Sequence, residues 1–316
     1  NFDKAFVLLE SVINDLKPEE AALKNLVSDI IKVRADNKLD KEKILWDAMF
    51  SYGKYGAKSP YTDIMTEQEL AAIDPMQLIN AIKELPNYKQ KILYYGPLSE
   101  DALKTKLNND YTLIPDNLKE APVPVKYEEL TTSDNTVYVV NYPDMVQAEI
   151  LMLTKKENDD KDKIPYIALY NEYFGGGMAG IVFQELRESK ALAYSTFSSF
   201  TIPNKKEKAH YNRAYIGTQS YKLPEAMTGL FQLLNDMPES EITYNSAKDN
   251  LIQKFNTERI TKAGILNSYL SAQKLGLDHD IRKDIYDKAQ TLSLDDIKKF
   301  QADNIKDSKY TILVLG

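Results

Sequence analysis

The two ends of the chain resemble each other, and this similarity limits the folds that the sequence can adopt. Residues 1–96 and 222–316 have similar apolar patterns in the same order, and both end in an apolar run followed by glycine. The matched segments are Ala5–Leu16 with Ala226–Met237, Asn25–Val27 with Asn250–Ile252, Asp74–Leu78 with Leu294–Ile297, and Ile92–Gly96 with Ile312–Gly316. Self-similarity over about 95 residues exceeds a solenoid repeat and favours a duplicated domain. Chance similarity between two helical segments is the simpler alternative.

Each copy is predicted to contain three or four helices followed by one strand, at 91–95 and at 311–315. The segment between the copies occurs once, and alternating apolar residues and turn signals divide it into elements. The predicted elements from residue 99 onwards are a helix at 99–109, strands at 136–142 and 147–155, a glycine-broken helix at 164–188, strands at 193–203 and 209–220, and helices at 223–236, 240–260, 263–275, 282–288 and 294–302.

This order predicts an α+β fold, in which duplicated α/β sandwich domains pack an antiparallel-rich sheet on helices. On this interpretation the first copy lacks its own N-terminal strands. The predicted domains are residues 1–113, which form the C-terminal part of one domain with a short helix, and residues 131–316, which form a second domain. Residues 114–126 carry three prolines, and residues 114–130 are predicted to be the linker.

Composition excludes several classes of protein. The 316 residues suggest about two domains, and 43% hydrophobic with 28% charged residues is typical of a soluble globular chain. The net charge of −7 argues against nucleic-acid binding, and no apolar run is long enough to cross a membrane. The absence of cysteine excludes disulfides, a thiol nucleophile and cysteine-bound zinc.

Both termini suggest a fragment of a longer polypeptide. The chain begins at Asn1 inside a predicted helical pattern, without a methionine or a signal segment, and it ends at Gly316 directly after an apolar strand. We therefore expect that further motifs lie outside this sequence.

Two histidines, His210 and His279, stand 69 positions apart, and neither has the spacing of a zinc protease motif. The sequence therefore predicts no metal site, no catalytic residue and no Ser-His-Asp triad. We expect His279 to be an exposed turn residue, because it lies between two aspartates, and we expect the same of His210 at the start of a strand.

The glycine-rich segment Gly175–Gly180 fits the pattern G-x-G-x-x-G of dinucleotide-binding loops. That interpretation needs a preceding strand and an acidic residue about 20 positions later, and the sequence offers neither. The favoured hypothesis is that the glycines break a helix or allow it to approach another backbone closely. A mobile glycine stretch facing a ligand chamber is a further alternative.

Arg187 and Tyr194 are the candidate binding residues. Arg187 ends a predicted helix and has no acidic residue three or four positions away, and Tyr194 begins the next strand. A guanidinium and a phenol at such a corner could hold a peptide carbonyl or carboxylate group. A solvated arginine and a packed tyrosine are the structural alternative.

The segment Asn171–Ser195 resembles the pitrilysin/insulinase family of zinc metallopeptidases. It contains F-Q-E-L-R-E-S-K-A-L-A-Y-S at 183–195, which is similar to the family pattern F-x-E-[IL]-R-E-x-x-x-L-A-Y-S entering a strand. The resemblance implies two halves of two α+β domains each, which close around a chamber for unfolded peptides. It also implies that zinc is bound by an H-x-x-E-H motif in the first half.

This chain lacks that zinc motif and therefore resembles the second, non-zinc half, namely the end of the third domain and most of the fourth. The resemblance implies that Arg187 and Tyr194 contact the peptide substrate, that the partner is a zinc-bearing half or subunit, and that no cofactor binds here. Without the zinc half the chain is expected to be inactive.

The alternative is a non-catalytic binding or structural subunit, like the core proteins of respiratory complexes. The localisation is open, although the family suggests a bacterial periplasm or cell envelope.

Overall fold

The computed structural model describes residues 2–110, 115, 117–143, 145–158 and 160–316. The α-helices are α1 (Phe2–Asn14), α2 (Glu20–Asn37), α3 (Lys41–Lys43), α4 (Phe50–Tyr55), α5 (Glu67–Ala71), α6 (Pro75–Glu84), α7 (Glu100–Asp110), α8 (Ile164–Tyr170), α9 (Ile181–Phe183), α10 (Leu223–Asn235), α11 (Glu241–Thr257), α12 (Ala263–Lys274), α13 (Ile281–Thr291) and α14 (Leu294–Asn304). Wider π-helical turns occupy Ile44–Met49, Asn171–Gly175 and Gln184–Ser189, and short 3₁₀ turns occupy Leu85–Asn87, Lys161–Lys163 and Ser220–Lys222. Among the described residues no helix is both long and apolar enough to cross a bilayer.

The described chain divides into two compact units. The first contains residues 1–39 and 63–126, and the second contains residues 40–62 and 127–316. The sequence placed residues 40–62 in the first domain, whereas here this segment packs within the second unit. Of the predicted linker, residues 114 and 116 lie outside the described part, and residues 117–130 form no helix or extended strand. Lys119 joins the first unit through a backbone hydrogen bond of 2.7 Å to Asn87.

The first unit consists of helices whose ends are fixed by their own side chains. Thr66 and Glu69 form a reciprocal capping box at the start of α5, and Asp74 and Gln77 form another at the start of α6. The Arg34 guanidinium donates to the carbonyl oxygen of Met65 at 2.7 Å. Many apolar side chains of this unit are nevertheless exposed, including Val7, Leu8, Leu9 and Val12 of α1.

Residues 91–95 are not a strand, so the predicted strand at that position is wrong. Ile92, Leu93 and Tyr95 are all exposed. An isolated extended segment has no ladder of interstrand hydrogen bonds, and no neighbouring strand lies beside residues 91–95 in the described part of the chain. The apolar pattern was therefore insufficient without a sheet for the segment to join.

The second unit contains one five-stranded mixed sheet. Its strands are β1 (Thr136–Val140), β2 (Gln147–Asn158), β3 (Ser195–Thr201), β4 (Ala209–Gln219) and β5 (Thr311–Leu315), in the spatial order β1-β5-β2-β4-β3. β1 and β5 are parallel, and the other neighbours are antiparallel. The C-terminal strand β5 thus lies between the first two strands of the unit. The α+β class and the antiparallel-rich sheet are confirmed.

Both faces of this sheet are covered in the middle strands. Ile150 and Met152 of β2 enter the main core, which also contains residues of α8, α10, α11, α13 and α14. Leu151 and Leu153 point to the opposite face and pack with Leu45 and Met49. Because neighbouring residues of a strand point to opposite faces, a strand covered on both sides needs a continuous apolar run, and Ile150–Leu153 is such a run.

The cover of the second face is the segment that begins at Asp40. The Asp40 carboxylate caps α3 by accepting from the backbone amides of Glu42 and Lys43. The helix continues through the π-helical turn and α4 to Gly56, whose φ of 75° ends it. Gly53 permits the close approach, since an added Cβ would lie 3.3 Å from side-chain carbons of Leu153, Leu313 and Thr311.

Truncating this cover should destabilise the second unit. Leu45 is fully buried in the packing against β2 and β5, so Leu45→Ala should lower the free energy of unfolding by about 2–5 kcal/mol. Ile242→Ala in α11 is the matched control, because Ile242 is 83% exposed and its loss should cost no more than about 0.5 kcal/mol. Urea denaturation of both variants measures the difference. Equal effects would show that residues 40–62 do not belong to this core.

Candidate functional site

The two predicted binding residues flank a corner at which a helix gives way to β3. Backbone hydrogen bonds close this corner, from the amide of Lys190 to Glu185 at 3.1 Å and from the amide of Leu192 to Leu186 at 2.8 Å. Ala191 adopts a positive φ of 50°, which turns the chain towards the sheet. The Lys222 ammonium donates to the carbonyl oxygen of Ala191 at 3.1 Å. The corner is therefore held by the main chain and by one side chain from the sequence after β4.

Arg187 lies on the π-helical turn Gln184–Ser189 with its side chain 45% exposed. Its guanidinium carbon is 4.7 Å from the centre of the Phe183 ring. This cation–π contact orients the guanidinium group. The nearest carboxylate is that of Glu188, whose oxygen is 3.8 Å from the guanidinium Nε. This adjacent carboxylate was not predicted, because helix spacing points to ion-pair partners three or four positions away. An exposed pair at this distance is weak, so the guanidinium can still bind a ligand carboxylate.

Tyr194 immediately precedes β3 and is 49% exposed. Its backbone amide donates to the carbonyl oxygen of Gly217 at 2.8 Å, which attaches it to β4. Its hydroxyl oxygen accepts from the amide of Gln219 at 2.7 Å. Because a phenol can accept and donate simultaneously, the proton of this hydroxyl remains available for a carbonyl oxygen of a ligand. Gln219 thus positions the hydroxyl, and the sequence analysis did not identify it.

The contacts within the described residues do not join Arg187 directly to Tyr194. The structure places both side chains at the surface, one on each side of the same corner.

A buried polar group lies on the sheet face near this corner. Glu149 of β2 is 6% exposed, and its carboxylate is 3.5 Å from the ammonium of Lys41. Burial, followed by the nearby charge of Glu149, raises the pKa of the Tyr215 hydroxyl well above its usual range. The Tyr215 ring also packs on Trp46 and Phe197, with centroid distances of 5.2 and 5.5 Å. Tyr215 therefore stays neutral, and this cluster connects the segment 40–62 to β3 and β4.

The dinucleotide interpretation fails because the segment directly before Gly175–Gly180 is helical and not a strand. A Cβ added to Gly175 would lie 1.7 Å from the backbone oxygen of Ser198 in β3. The hypothesis that a glycine allows close approach to another backbone is confirmed. The amide of Asn171 reinforces this contact by donating to the carbonyl oxygen of Phe200 at 2.9 Å.

Comparison with known protein families identifies the fold to which this corner belongs. A family model described as the peptidase M16 inactive domain matches residues 86–246, just over half of the chain. The chain belongs to the M16 peptidase family. The resemblance to pitrilysin-type peptidases is thereby confirmed, and the match includes both Arg187 and Tyr194. No curated protein matches the sequence significantly.

Solved structures share the M16 fold over nearly the whole chain at low sequence identity. A peptidase M16 inactive domain from Pseudomonas fluorescens is 16% identical with a TM-score of 0.72, and the match covers 99% of this chain and 74% of that one. A protease from Helicobacter pylori is 18% identical with a TM-score of 0.72, and the match covers 100% of this chain and 76% of that one. The periplasmic protease PqqL from Escherichia coli is 14% identical with a TM-score of 0.64, over 94% of this chain and 33% of that one.

The histidines of this M16 domain lie far from each other in sequence and in different environments. His210 is 3% exposed, so the expectation of an exposed residue is wrong. It lies in β4, and its Nδ1 is 2.9 Å from the carbonyl oxygen of Thr201, because the β3–β4 pairing encloses it. No group of three or more histidine, aspartate or glutamate side chains that could hold a metal ion occurs in the described part of the chain.

His210 also lines a groove of about 440 Å³ together with Lys156 and Lys163. Burial, followed by the charge of Lys163, lowers the pKa of Lys156, and the Lys156 ammonium donates to the hydroxyl of Ser308 at 2.6 Å. The groove was not predicted, because no local sequence pattern shows that Lys156 of β2 and Lys163 of a 3₁₀ turn lie beside His210 of β4.

His279 is exposed in the turn between α12 and α13, as expected, but both ring nitrogens are engaged. Nδ1 lies 2.7 Å from the carboxylate of Asp278, and Nε2 lies 2.7 Å from that of Asp284. Asp278, followed by Asp284, raises the pKa of His279. Between two carboxylates the doubly protonated imidazolium is the favoured form, since both nitrogens must then donate.

Adding a methyl group at Gly175 should disrupt the contact between helix and sheet. Gly175→Ala forces its Cβ onto the backbone of Ser198, and a backbone atom cannot move aside as a side chain does. We expect Gly175→Ala to lower the free energy of unfolding by more than about 3 kcal/mol. Gly264→Ala is the control, because its Cβ meets only the side chain of Ile260 at 3.2 Å. Thermal unfolding compares the two, and a harmless Gly175→Ala would refute the close approach.

The stability provided by His279 should depend on pH. Its folded-state pKa is raised above the unfolded value near 6.5, so the contribution is complete below that value and is lost as pH rises through the folded pKa. His279→Gln should therefore lower the melting temperature more at pH 5 than at pH 9. Gln273→Ala, on the exposed surface of α12, is the control, and its effect on the melting temperature should not depend on pH. If His279→Gln lowers the melting temperature equally at both pH values, the raised pKa of His279 does not contribute to stability.

Proposed function

We propose that this chain is the non-catalytic half of a zinc metalloendopeptidase, where it closes a peptide chamber and helps to bind the substrate. The observation that carries the proposal is the match to the M16 inactive domain across the corner that displays Arg187 and Tyr194. An H-x-x-E-H motif is absent from the sequence, whose two histidines stand 69 positions apart. In this proposal the partner is a zinc-bearing half or subunit, and the ligand is an unfolded peptide.

The chemistry of the corner suits a peptide backbone. The hydroxyl of Tyr194 can donate to a carbonyl oxygen while Gln219 holds its oxygen in place. Arg187 adds a planar set of donors that fits a carbonyl or carboxylate group. We assign to Tyr194 the stabilisation of the oxygen that becomes negative during peptide hydrolysis, and to Arg187 the orientation of the substrate.

Zinc belongs to the other half in this proposal. Bound there, it would polarise the scissile carbonyl group and activate water. The residues of this chain would bind and orient the peptide at that site, and we propose that the chain alone does not hydrolyse peptides.

The domain organisation is also proposed from the repeat. Residues 1–113 would be the C-terminal part of a third M16 domain, residues 114–130 the linker, and residues 131–316 a fourth domain, whose sheet residues 40–62 cover. The helix lengths support a duplication: α1 and α10 both have 13 residues, α2 and α11 have 18 and 17, and α6 and α14 have 10 and 11. The lack of a strand at 91–95 leaves the two copies unequal at their ends.

Removing either functional group should reduce turnover without affecting folding. In a preparation whose zinc-bearing half is present and loaded, Tyr194→Phe should lower kcat by on the order of 10²-fold with a smaller change in KM, because one oxyanion donor is lost. Arg187→Ala should also impair turnover. Both side chains are about half exposed, so the melting temperature should change little.

A matched control is available at a second exposed tyrosine. Tyr221 is 76% exposed and follows β4, so Tyr221→Phe should retain wild-type turnover. Hydrolysis of an unfolded peptide by the Tyr194, Arg187 and Tyr221 variants provides the comparison. Wild-type rates for both Tyr194→Phe and Arg187→Ala would refute the proposed role and would favour a structural subunit instead.

A further inference from the structure

β1 forms one edge of the sheet, and its outer side has no partner strand. β5 covers only one side of β1, and all five residues of β1 are exposed. Natural edge strands are commonly protected by lysine, proline or a bulge. Thr136–Val140 has the sequence Thr-Val-Tyr-Val-Val and includes no such residue. The edge is thus open to pairing with another extended chain.

The hydrogen bonds of β1 show which of its backbone groups are free. Thr136 donates to Tyr310 at 3.0 Å, and Gly316 donates to Val140 at 3.2 Å, so Thr136 and Val140 direct their backbone groups towards β5. In a parallel pair the orientation alternates along the strand. Val137 and Val139 therefore direct their N–H and C=O groups outwards. Within the described residues these four groups have no backbone partner.

A groove of about 410 Å³ adjoins this edge. Tyr52 and Tyr138 form part of its lining, with ring centroids 5.1 Å apart at 83° to each other. Tyr61 also lines the groove and is 41% exposed. The groove has no charged residue in its lining. It therefore suits an uncharged aromatic or aliphatic side chain.

The wall that carries Tyr61 is held by its own hydrogen bonds. The Thr62 hydroxyl donates to the carbonyl oxygen of Ala57 at 2.7 Å, and the amide of Ser59 donates to the same hydroxyl at 3.0 Å. Ser59 is 1% exposed. The groove is therefore formed before any ligand arrives, which reduces the entropic cost of binding.

We propose that the outer edge of β1 binds an extended peptide as an added strand, with an apolar side chain of the peptide in the adjoining groove. The free donors and acceptors of Val137 and Val139 alternate in the way that only another extended backbone can match. Side chains at alternate positions of the added strand would face the groove. This site lies at the opposite edge of the sheet from β3, at about 19 Å for four strand spacings, and it does not depend on the role proposed for Arg187 and Tyr194.

The test uses the whole chain and a fluorescently labelled probe, acetyl-Lys-Thr-Val-Thr-Tyr-Thr-Lys-amide, in anisotropy titrations. Two further probes carry N-methyl groups, one on the Val and Tyr amides and the other on the Thr amides. N-methylation removes donors from only one side of a strand. We therefore expect one of these two probes to bind at least about tenfold more weakly than the parent and the other to bind within about threefold of it.

A variant of the protein tests the same contact from the other side. Val139→Pro removes an outward amide without breaking a bond to β5, and edge strands accept proline. It should weaken binding at least about tenfold, whereas Ile242→Thr on α11, at a residue that is 83% exposed and outside the groove, should bind like the wild type. Circular dichroism establishes that both variants fold. If Val139→Pro does not fold, titration of the wild-type protein with the two N-methylated probes still tests strand pairing.

Several results would overturn the proposal. Equal binding of the two N-methylated probes would show that the groove alone captures the peptide, without strand pairing. No binding of the parent probe at about 1 mM would exclude peptide recognition at this edge. A dimer in sedimentation experiments that Val139→Pro dissociates would identify a second copy of the chain as the occupant instead.

Discussion

The second unit depends on burying both faces of its central strands at once. β2 and β5 carry continuous apolar runs, so one face packs on helices that follow β2 in the sequence and the other needs a cover from elsewhere in the chain. Residues 40–62 provide that cover, with Leu45 and Met49 on Leu151, Leu153 and Leu313. Lys54 adds an ion pair of 3.1 Å to the buried carboxylate of Glu129, which in turn accepts from the amide of Ala209 at 3.2 Å. A segment distant in sequence thus completes the core.

This covering has consequences for function, because it leaves the sheet accessible mainly at its two edges. At one edge the chain enters β3 through the corner that displays Arg187 and Tyr194, and at the other the outer side of β1 is unpaired. The M16 family assignment and the exposed donors at the corner support peptide binding there, and the free backbone groups of β1 support strand pairing. Both proposals use groups that a rigid sheet holds in place, which is the usual way for a fold to reduce the cost of binding.

The sequence predicted most elements of the second unit because their apolar periodicity is strong and their ends carry clear signals. The strand predicted at 209–220 spans Ala209–Gln219, and the helix predicted at 223–236 spans Leu223–Asn235. Prediction from the sequence failed where the structure depends on contacts with residues that are distant in the chain. Residues 91–95 have a strand pattern but no neighbouring strand, His210 is enclosed by β3, and the cover provided by Leu45 could not be inferred from a local pattern. Arg187 and Tyr194 were found through resemblance to a family, whereas Gln219, which bonds to Tyr194, becomes visible only in three dimensions.

The central claim is that this M16 chain contributes binding to peptide hydrolysis but no catalytic metal. Adding the purified chain to a zinc-loaded partner half and following cleavage of a quenched fluorescent, unfolded peptide tests it most directly. We expect background cleavage by the chain alone and by the partner alone, and a rate well above their sum for the mixture. Zinc-dependent cleavage by the chain alone, or a mixture no faster than the partner half by itself, would contradict it.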